Sequence, residues 1–199
     1  MNKIGIYGGT FDPLHKGHLS LARSAVDEMK LDKLIFLPAY IQPFKKDYKY
    51  TKGEHRVKMI ELAISEYEKF QVSDYEIRKK DISYSYDTLS ELRNMVDGKI
   101  YFVMGDDSFV QLENWYKGKE LLENYSFIVG SRPGIPSDIT EEYTNIYREK
   151  YSTEIYLINN KLVDISATEL RKALKTGKDV DKFLVDPVTE YINENKLYR

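Results

Sequence analysis

The chain has 199 residues, 42% of them hydrophobic and 31% charged, with a formal net charge of −2 and no cysteine. That length suits one globular domain, and the near-neutral balance gives no global attraction to nucleic acid or to an anionic membrane. The missing thiols exclude disulfides, thiolate zinc sites, iron–sulfur clusters and a cysteine nucleophile, so an anionic ligand must be met by local charges.

The apolar run at the start stops at Gly8, far short of a secretory segment, and the longest apolar stretches, LIFLPAYI and YSFIVG, are well below the about 20 residues of a membrane helix. A soluble, cytoplasmic protein is expected. The first strand is read at Lys3–Tyr7. The chain leaves it through GGTFDPLHKGH, Gly8 to His18, which spends two glycines, a proline and two of the three histidines on one loop. Gly8 and Gly9 are expected to take positive φ and let a ligand approach the backbone amides, and Pro13 to fix a turn. A helix carrying Leu19, Ala22, Val26 and Met29 at helical spacing starts near Lys16 to His18. Its free N–H groups and partial positive charge suit a phosphate.

His15 and His18 are three apart and share one helical face, with Gly17 between them keeping the approach open. Protonated imidazoles there would donate to phosphate oxygens and offset charge on a leaving group. The loop satisfies neither G-x-x-x-x-G-K-[ST] nor G-x-G-x-x-G. A plain strand–turn–helix junction with two solvent-facing histidines is one alternative. A metal site is another, weakened because only His55 remains elsewhere.

The second strand, Lys33–Leu37, runs into PAYIQPFKKDYKYTKG, a lysine- and tyrosine-dense segment that either orders over an anion or presents ordinary surface lysines. A helix with Val57, Ile60, Ile64 and Tyr67 follows, then a strand at Phe70–Tyr75 and a helix with Leu89, Leu92 and Val96. Three more strands are read at Lys99–Met104, Ser126–Gly130 and Glu154–Ile158. The alternation predicts an α/β fold: a doubly wound, mainly parallel sheet flanked by helices, with ligands at the carboxyl ends of the strands. The fourth such end carries Gly105, Asp106 and Asp107, two adjacent carboxylates suited to a ribose hydroxyl or a metal, and the only tryptophan, Trp115, which composition alone would put in the core. The fifth carries Arg132 in SRPG, and the sixth the capping box Ser166-x-x-Glu169 with Thr168 and Arg171. Those groups either converge on phosphates or are only an N-cap and a solvated helix residue. Gly177 suits a helix C′ position, and Asp186-Pro187 opens a last helix through Tyr191 and Ile192. One domain over 1–199 is expected, with a small C-terminal helical part from about 166 to 199.

The opening loop resembles the signature of the nucleotidyltransferases that carry [H/T]-x-G-H after the first strand of a Rossmann-like domain. With histidine at the first position it is similar to the bacterial nicotinate-nucleotide adenylyltransferases. Further stretches resemble that family in order along nearly the whole chain: LPAYIQPFKKD, HRVKMIELA, SYSYDTL, GDDSFVQLENWY and DISATELR. Three positions depart from its pattern: Phe44 stands where many members have histidine, Ser85 for threonine, and Ala167 for a serine.

The resemblance implies attack of the nicotinate mononucleotide 5′-phosphate on the α-phosphorus of ATP, giving deamido-NAD and pyrophosphate with no protein nucleophile. Mg²⁺ would arrive on the ATP phosphates, with no metal site on the protein. ATP would be held by Gly8, Gly9, Thr10, Phe11, His15, His18, Ser166, Thr168 and Arg171, with Arg132 towards the adenylate and the two histidines catalytic. The mononucleotide would be held by Lys45, Lys46, Ser85, Gly105, Trp115, Tyr116 and either Asp106, preferred for the ribose, or Asp107. Trp115 would stack on the pyridine, and backbone N–H groups near Ser85 and Tyr116 would receive its carboxylate. ATP and nicotinate mononucleotide are the expected partners, without nucleic acid or membrane, and self-association is left open. The rival readings are an enzyme for nicotinamide mononucleotide or another phosphorylated acceptor, and a nucleotide sensor without turnover.

Overall fold

In the computed structural model, which describes residues 1–43 and 49–199, six strands form one all-parallel sheet in the order β3-β2-β1-β4-β5-β6. They are β1 Lys3–Gly9, β2 Lys33–Pro38, β3 Phe70–Val72, β4 Lys99–Gly105, β5 Ser126–Gly130 and β6 Ile155–Ile158. Nine α-helices occur among the described residues: α1 Lys16–Met29, α2 Gly53–Ile64, α3 Tyr75–Lys79, α4 Ser85–Arg93, α5 Asp106–Phe109, α6 Gly118–Asn124, α7 Ser137–Tyr151, α8 Ala167–Lys175 and α9 Asp186–Glu194. None of the described helices is long and apolar enough to cross a membrane.

Period-two alternation in the central strands supplies a core on each face of the sheet. Ile4 and Ile6 of β1, with Ile100, Phe102 and Met104 of β4, pack with Leu89, Leu92, Leu121 and Tyr147 from α4, α6 and α7. Tyr7, Tyr101 and Val103 face the other way, onto Leu21, Ala22, Met59, Ile60, Val188 and Ile192 of α1, α2 and α9. Burial on both faces explains why these strands read as nearly continuous apolar runs.

Strand order reverses beside β1. The chain first winds outward through β2 and β3, then returns to place β4 against β1, Tyr7 level with Val103. The two loops leaving this pair diverge to opposite sides of the sheet, and a crevice opens between their carboxyl ends. The histidine loop lies on one side of that crevice and Gly105–Asp107 on the other.

Several elements differ from the sequence reading. The third strand stops at Val72, because Tyr75 already opens α3. Tyr67 and Val96 fall beyond the ends of α2 and α4. Helix α7 has no counterpart in the apolar spacing. The C-terminal part forms as expected: Ser166 and Glu169 make a reciprocal capping box, Gly177 has φ of 68°, and Pro187 sits in the first turn of α9.

Candidate active site

The two glycines after the first apolar run are the last residues of β1, and neither takes positive φ; the left-handed residue is Phe11, at 49°. The glycines are needed for packing instead. A Cβ on Gly9 would lie 2.8 Å from the Phe11 ring, and one on Gly8 3.0 Å from Phe102. The loop thus folds back on its own strand, and Phe11 is buried against Tyr7 and Phe36 with ring centroids 5.3 and 5.6 Å apart.

His15 is the N-cap of α1, and its N–H donates to Nδ1 of His18 at 3.2 Å. Neutral His18 therefore carries its proton on Nε2, as a donor. The two rings are stacked obliquely, with centroids 3.7 Å apart and planes at 33°. Gly17 makes this possible, since a Cβ there would stand 3.0 Å from Cε1 and Nδ1 of His15. The expectation of protonated imidazoles is corrected for the free protein. Both rings are buried, and burial followed by Arg132 holds His15 down to about 3. Burial, then His15 and Arg132, pushes His18 well below the usual histidine value. At neutral pH they are neutral donors in a positive surrounding, ready to gain proton affinity when an anion enters.

Arg132 follows β5, and its Nη2 donates to the Tyr7 hydroxyl at 3.0 Å. The residue is partly exposed, yet its Nε is sealed from solvent and, among the described residues, lacks a hydrogen-bond partner, as does Nδ1 of His15. Gly105 gives Arg132 its room: a Cβ there would meet Arg132 Nε at 2.7 Å and Asp107 Oδ1 at 2.6 Å.

These groups line one cleft of about 750 Å³ at the β1/β4 reversal, within the usual range of ligand sites, about 300–1,000 Å³. Its wall includes Gly8, Gly9, Thr10, Phe11, His15, His18, Ser85, Gly105, Asp107, Trp115, Tyr116, Arg132, Ser166, Thr168 and Arg171. Asp106, the carboxylate preferred from the sequence, is not among them. It is 2% exposed, its Oδ1 accepts the Arg132 N–H at 2.9 Å, and burial raises it to about 6. Its work is to tie α5 to the β5 loop, which leaves Asp107, exposed on the cleft, as the carboxylate a ligand can reach. Lys45 and Lys46, with Phe44, lie outside the described residues.

Four helices begin at this cleft: α1 at His15, α4 after Tyr84, the one-turn α5 after Gly105 and α8 after Ser166. The Ser166 hydroxyl donates to Glu169 Oε2 at 2.6 Å and accepts the Glu169 N–H at 3.2 Å, so the capping role is occupied here as well as the cleft position. Arg171 reaches the Asp12 carbonyl at 2.7 Å and the Thr168 hydroxyl at 3.1 Å. Trp115 is half-buried against the core beside β4, while Tyr116 is 46% exposed and packs on Tyr84 at 4.5 Å.

Residues that sequence reasoning passed over also line the wall, among them Tyr7, Glu76, Ser83, Tyr84 and Thr88. Glu76 is buried, accepts the Thr88 hydroxyl at 2.7 Å, and is raised by burial. Only a carboxylate inside an apolar stretch, Tyr75 to Ile77, hinted at it, and that stretch had been read partly as a strand.

A cytidylyltransferase-like family model matches residues 6–173. A Clostridium botulinum (strain Alaska E43) relative named "Probable nicotinate-nucleotide adenylyltransferase" is 36% identical over 199 residues, covering all of this chain and 99% of its own length. One of the same name from Clostridium tetani is 35% identical over the full length of both. This chain belongs to the nicotinate-nucleotide adenylyltransferase family. Its fold is also that of a solved Plasmodium falciparum nicotinic acid mononucleotide adenylyltransferase complexed with NaAD, with a TM-score of 0.79 at 22% identity over all of this chain and 98% of that one. The expected resemblance and the α/β class therefore hold, and the chain is a nucleotidyltransferase. The donors and charges that line the cleft can position and neutralise phosphates.

Proposed function

We propose that the protein transfers the adenylyl group of ATP, taken as its Mg²⁺ complex, to nicotinate mononucleotide. An oxygen of the mononucleotide 5′-phosphate bonds to the α-phosphorus, the bond from that phosphorus to the bridging oxygen breaks, and pyrophosphate leaves with deamido-NAD as the second product. The observation that carries this reading is the convergence of the neutral His15–His18 pair, Arg132 and the N-termini of α1, α4 and α8 on one cleft at the strand reversal.

On this reading His18 Nε2–H donates to the α-phosphate, with His15 beside it sharing the charge that builds during transfer. Gly8 to Phe11 supply a close wall for ATP, and Arg132 the nearest fixed positive charge. The start of α8, with Ser166, Thr168 and Arg171, receives the β- and γ-phosphates, because its amides, hydroxyl and guanidinium all favour anions. Asp107 takes a ribose hydroxyl next to Gly105. Trp115 and Tyr116 flank the pyridine ring. The first N–H groups of α4, which have no acceptor within the helix, receive its carboxylate near Ser85. Lys45 and Lys46 are kept as candidates for the mononucleotide phosphate. The Mg²⁺ needs no cage of its own, since triphosphate oxygens and water fill most of its coordination. The reaction belongs to the cytoplasm, where ATP is at hand.

The test is pyrophosphate release from purified protein with ATP, Mg²⁺ and nicotinate mononucleotide, and identification of the dinucleotide by mass. Turnover with this acceptor is expected. ATP binding without pyrophosphate release from any mononucleotide would replace the enzyme with a sensor.

A further inference from the structure

The cleft wall holds a buried carboxylate that the reaction above does not use. Glu76 is the second residue of α3, and its partners lie on either side of the start of α4. Its Oε1 accepts the Thr88 hydroxyl at 2.7 Å, one turn into that helix, and the Ser83 hydroxyl, just before the Tyr84 N-cap, is its second hydrogen-bond partner. Ser83 is itself tied to the segment after β2: its Oγ accepts the Tyr40 N–H at 2.9 Å, and its N–H donates to the Ile41 carbonyl at 2.9 Å. One carboxylate thus joins α3, α4 and the loop that leaves β2. Burial raises Glu76, and the two hydroxyls pull the other way by favouring the charged form.

No side chain at the N-cap orients the start of α4. Tyr84 makes no side-chain cap hydrogen bond, so the direction of the helix is left to contacts from other elements. Glu76 is poorly suited to hold the ligand anion, because an ionised carboxylate only accepts hydrogen bonds. It is well suited to fix the residues before and after the N-cap at once. We infer that Glu76 is a positioning residue for the mononucleotide: by holding Ser83 and Thr88 it aims the first N–H groups of α4 at the pyridine carboxylate. The inference rests on the reading of α4 as the carboxylate end of the site.

The experiment is steady-state kinetics of Glu76→Ala, Glu76→Gln, Thr88→Val and Ser85→Pro in the full chain, with ATP and either nicotinate or nicotinamide mononucleotide, and a melting temperature for each variant. Glu76→Ala is expected to raise KM for nicotinate mononucleotide about tenfold, the worth of one hydrogen bond to a charged group, with KM for ATP unchanged and the preference for acid over amide reduced. Glu76→Gln keeps the shape and an acceptor for the hydroxyls, so it should stay within about twofold of wild type. Thr88→Val breaks one of the two links without emptying the space, and carries the test if Glu76→Ala does not fold; it should shift the same KM in the same direction. A wild-type KM for the mononucleotide in Thr88→Val or Glu76→Ala, a parallel rise in both KM values, or a Glu76→Gln as impaired as Glu76→Ala would overturn the inference. Ser85→Pro separates the two layers, since proline is tolerated at the first helical position and removes one N–H there. If it leaves the acid preference unchanged, the reading of α4 fails and the inference with it; if it reduces that preference while Glu76→Ala and Thr88→Val do not, only the role of Glu76 fails.

Discussion

His15 and His18 lie 3.7 Å apart as ring centroids, buried and neutral in the free protein. An imidazole in that state binds an anion through its N–H and gains proton affinity as phosphate charge approaches. Its value is then greatest in the transition state, where charge on the transferring group and leaving oxygens peaks. His18→Ala should lower kcat by about 100-fold or more while changing the dissociation constant of ATP less than about fivefold, read by turnover and calorimetric titration. Near wild-type turnover would remove His18 from the mechanism. The same burial sets a stability signature. His15 titrates near 6.5 when unfolded and at about 3 when folded, so between those values the unfolded chain binds more protons and acid favours unfolding. Asp106, raised to about 6, works the opposite way, since the folded chain holds its proton longer there. His15→Gln removes one acid-sensitive group. Its urea-unfolding free energy should therefore fall less steeply than wild type from pH 7 to 5, by about 1 kcal/mol per pH unit. Parallel slopes in the two proteins would contradict the burial assignment.

At the scale of elements, Gly17 separates function from stability. It sits in the first turn of α1, in ordinary helical backbone, where alanine is the better helix former by about 1 kcal/mol. Yet a Cβ there would press on the His15 ring at 3.0 Å. Gly17→Ala should keep or raise the melting temperature and lower kcat about tenfold, because the displaced ring no longer faces the cleft; a lowered melting temperature with kcat intact would reverse that argument. The sequence made α1, α8 and α9 legible: apolar spacing marked the first, a capping box the second and a proline in the first turn the third. It hid α7. That helix buries Thr140, Thr144 and Tyr147, so its inward stripe carries two polar residues and leaves no apolar period to read. Strand β3 was overextended because Phe70 to Tyr75 contains too few residues to separate a strand from the start of a short helix.

For the whole molecule, the motifs were readable because a doubly wound sheet gathers its strand ends at one place, and each motif occupies such an end. The histidine loop, Gly105–Asp107, Arg132 and Ser166–Arg171 could be grouped without coordinates. What spacing could not decide was direction: Asp106 and Asp107 are neighbours in sequence but point to a buried N–H and to the cleft respectively. Tyr7 is held at the cleft by Arg132, 125 residues on, and Glu76 and Thr88 bond to each other from two successive helices, so no pattern within one element marked them. On the proposed reading, the first N–H groups of α4 satisfy both oxygens of the pyridine carboxylate, whereas a carboxamide turns an NH₂ towards one of them, a mismatch of about 1–3 kcal/mol. The decisive measurement is the ratio of kcat/KM for nicotinate mononucleotide to that for nicotinamide mononucleotide at saturating ATP and Mg²⁺. A ratio of about ten or more is predicted; equal values, or a preference for the amide, would contradict the account.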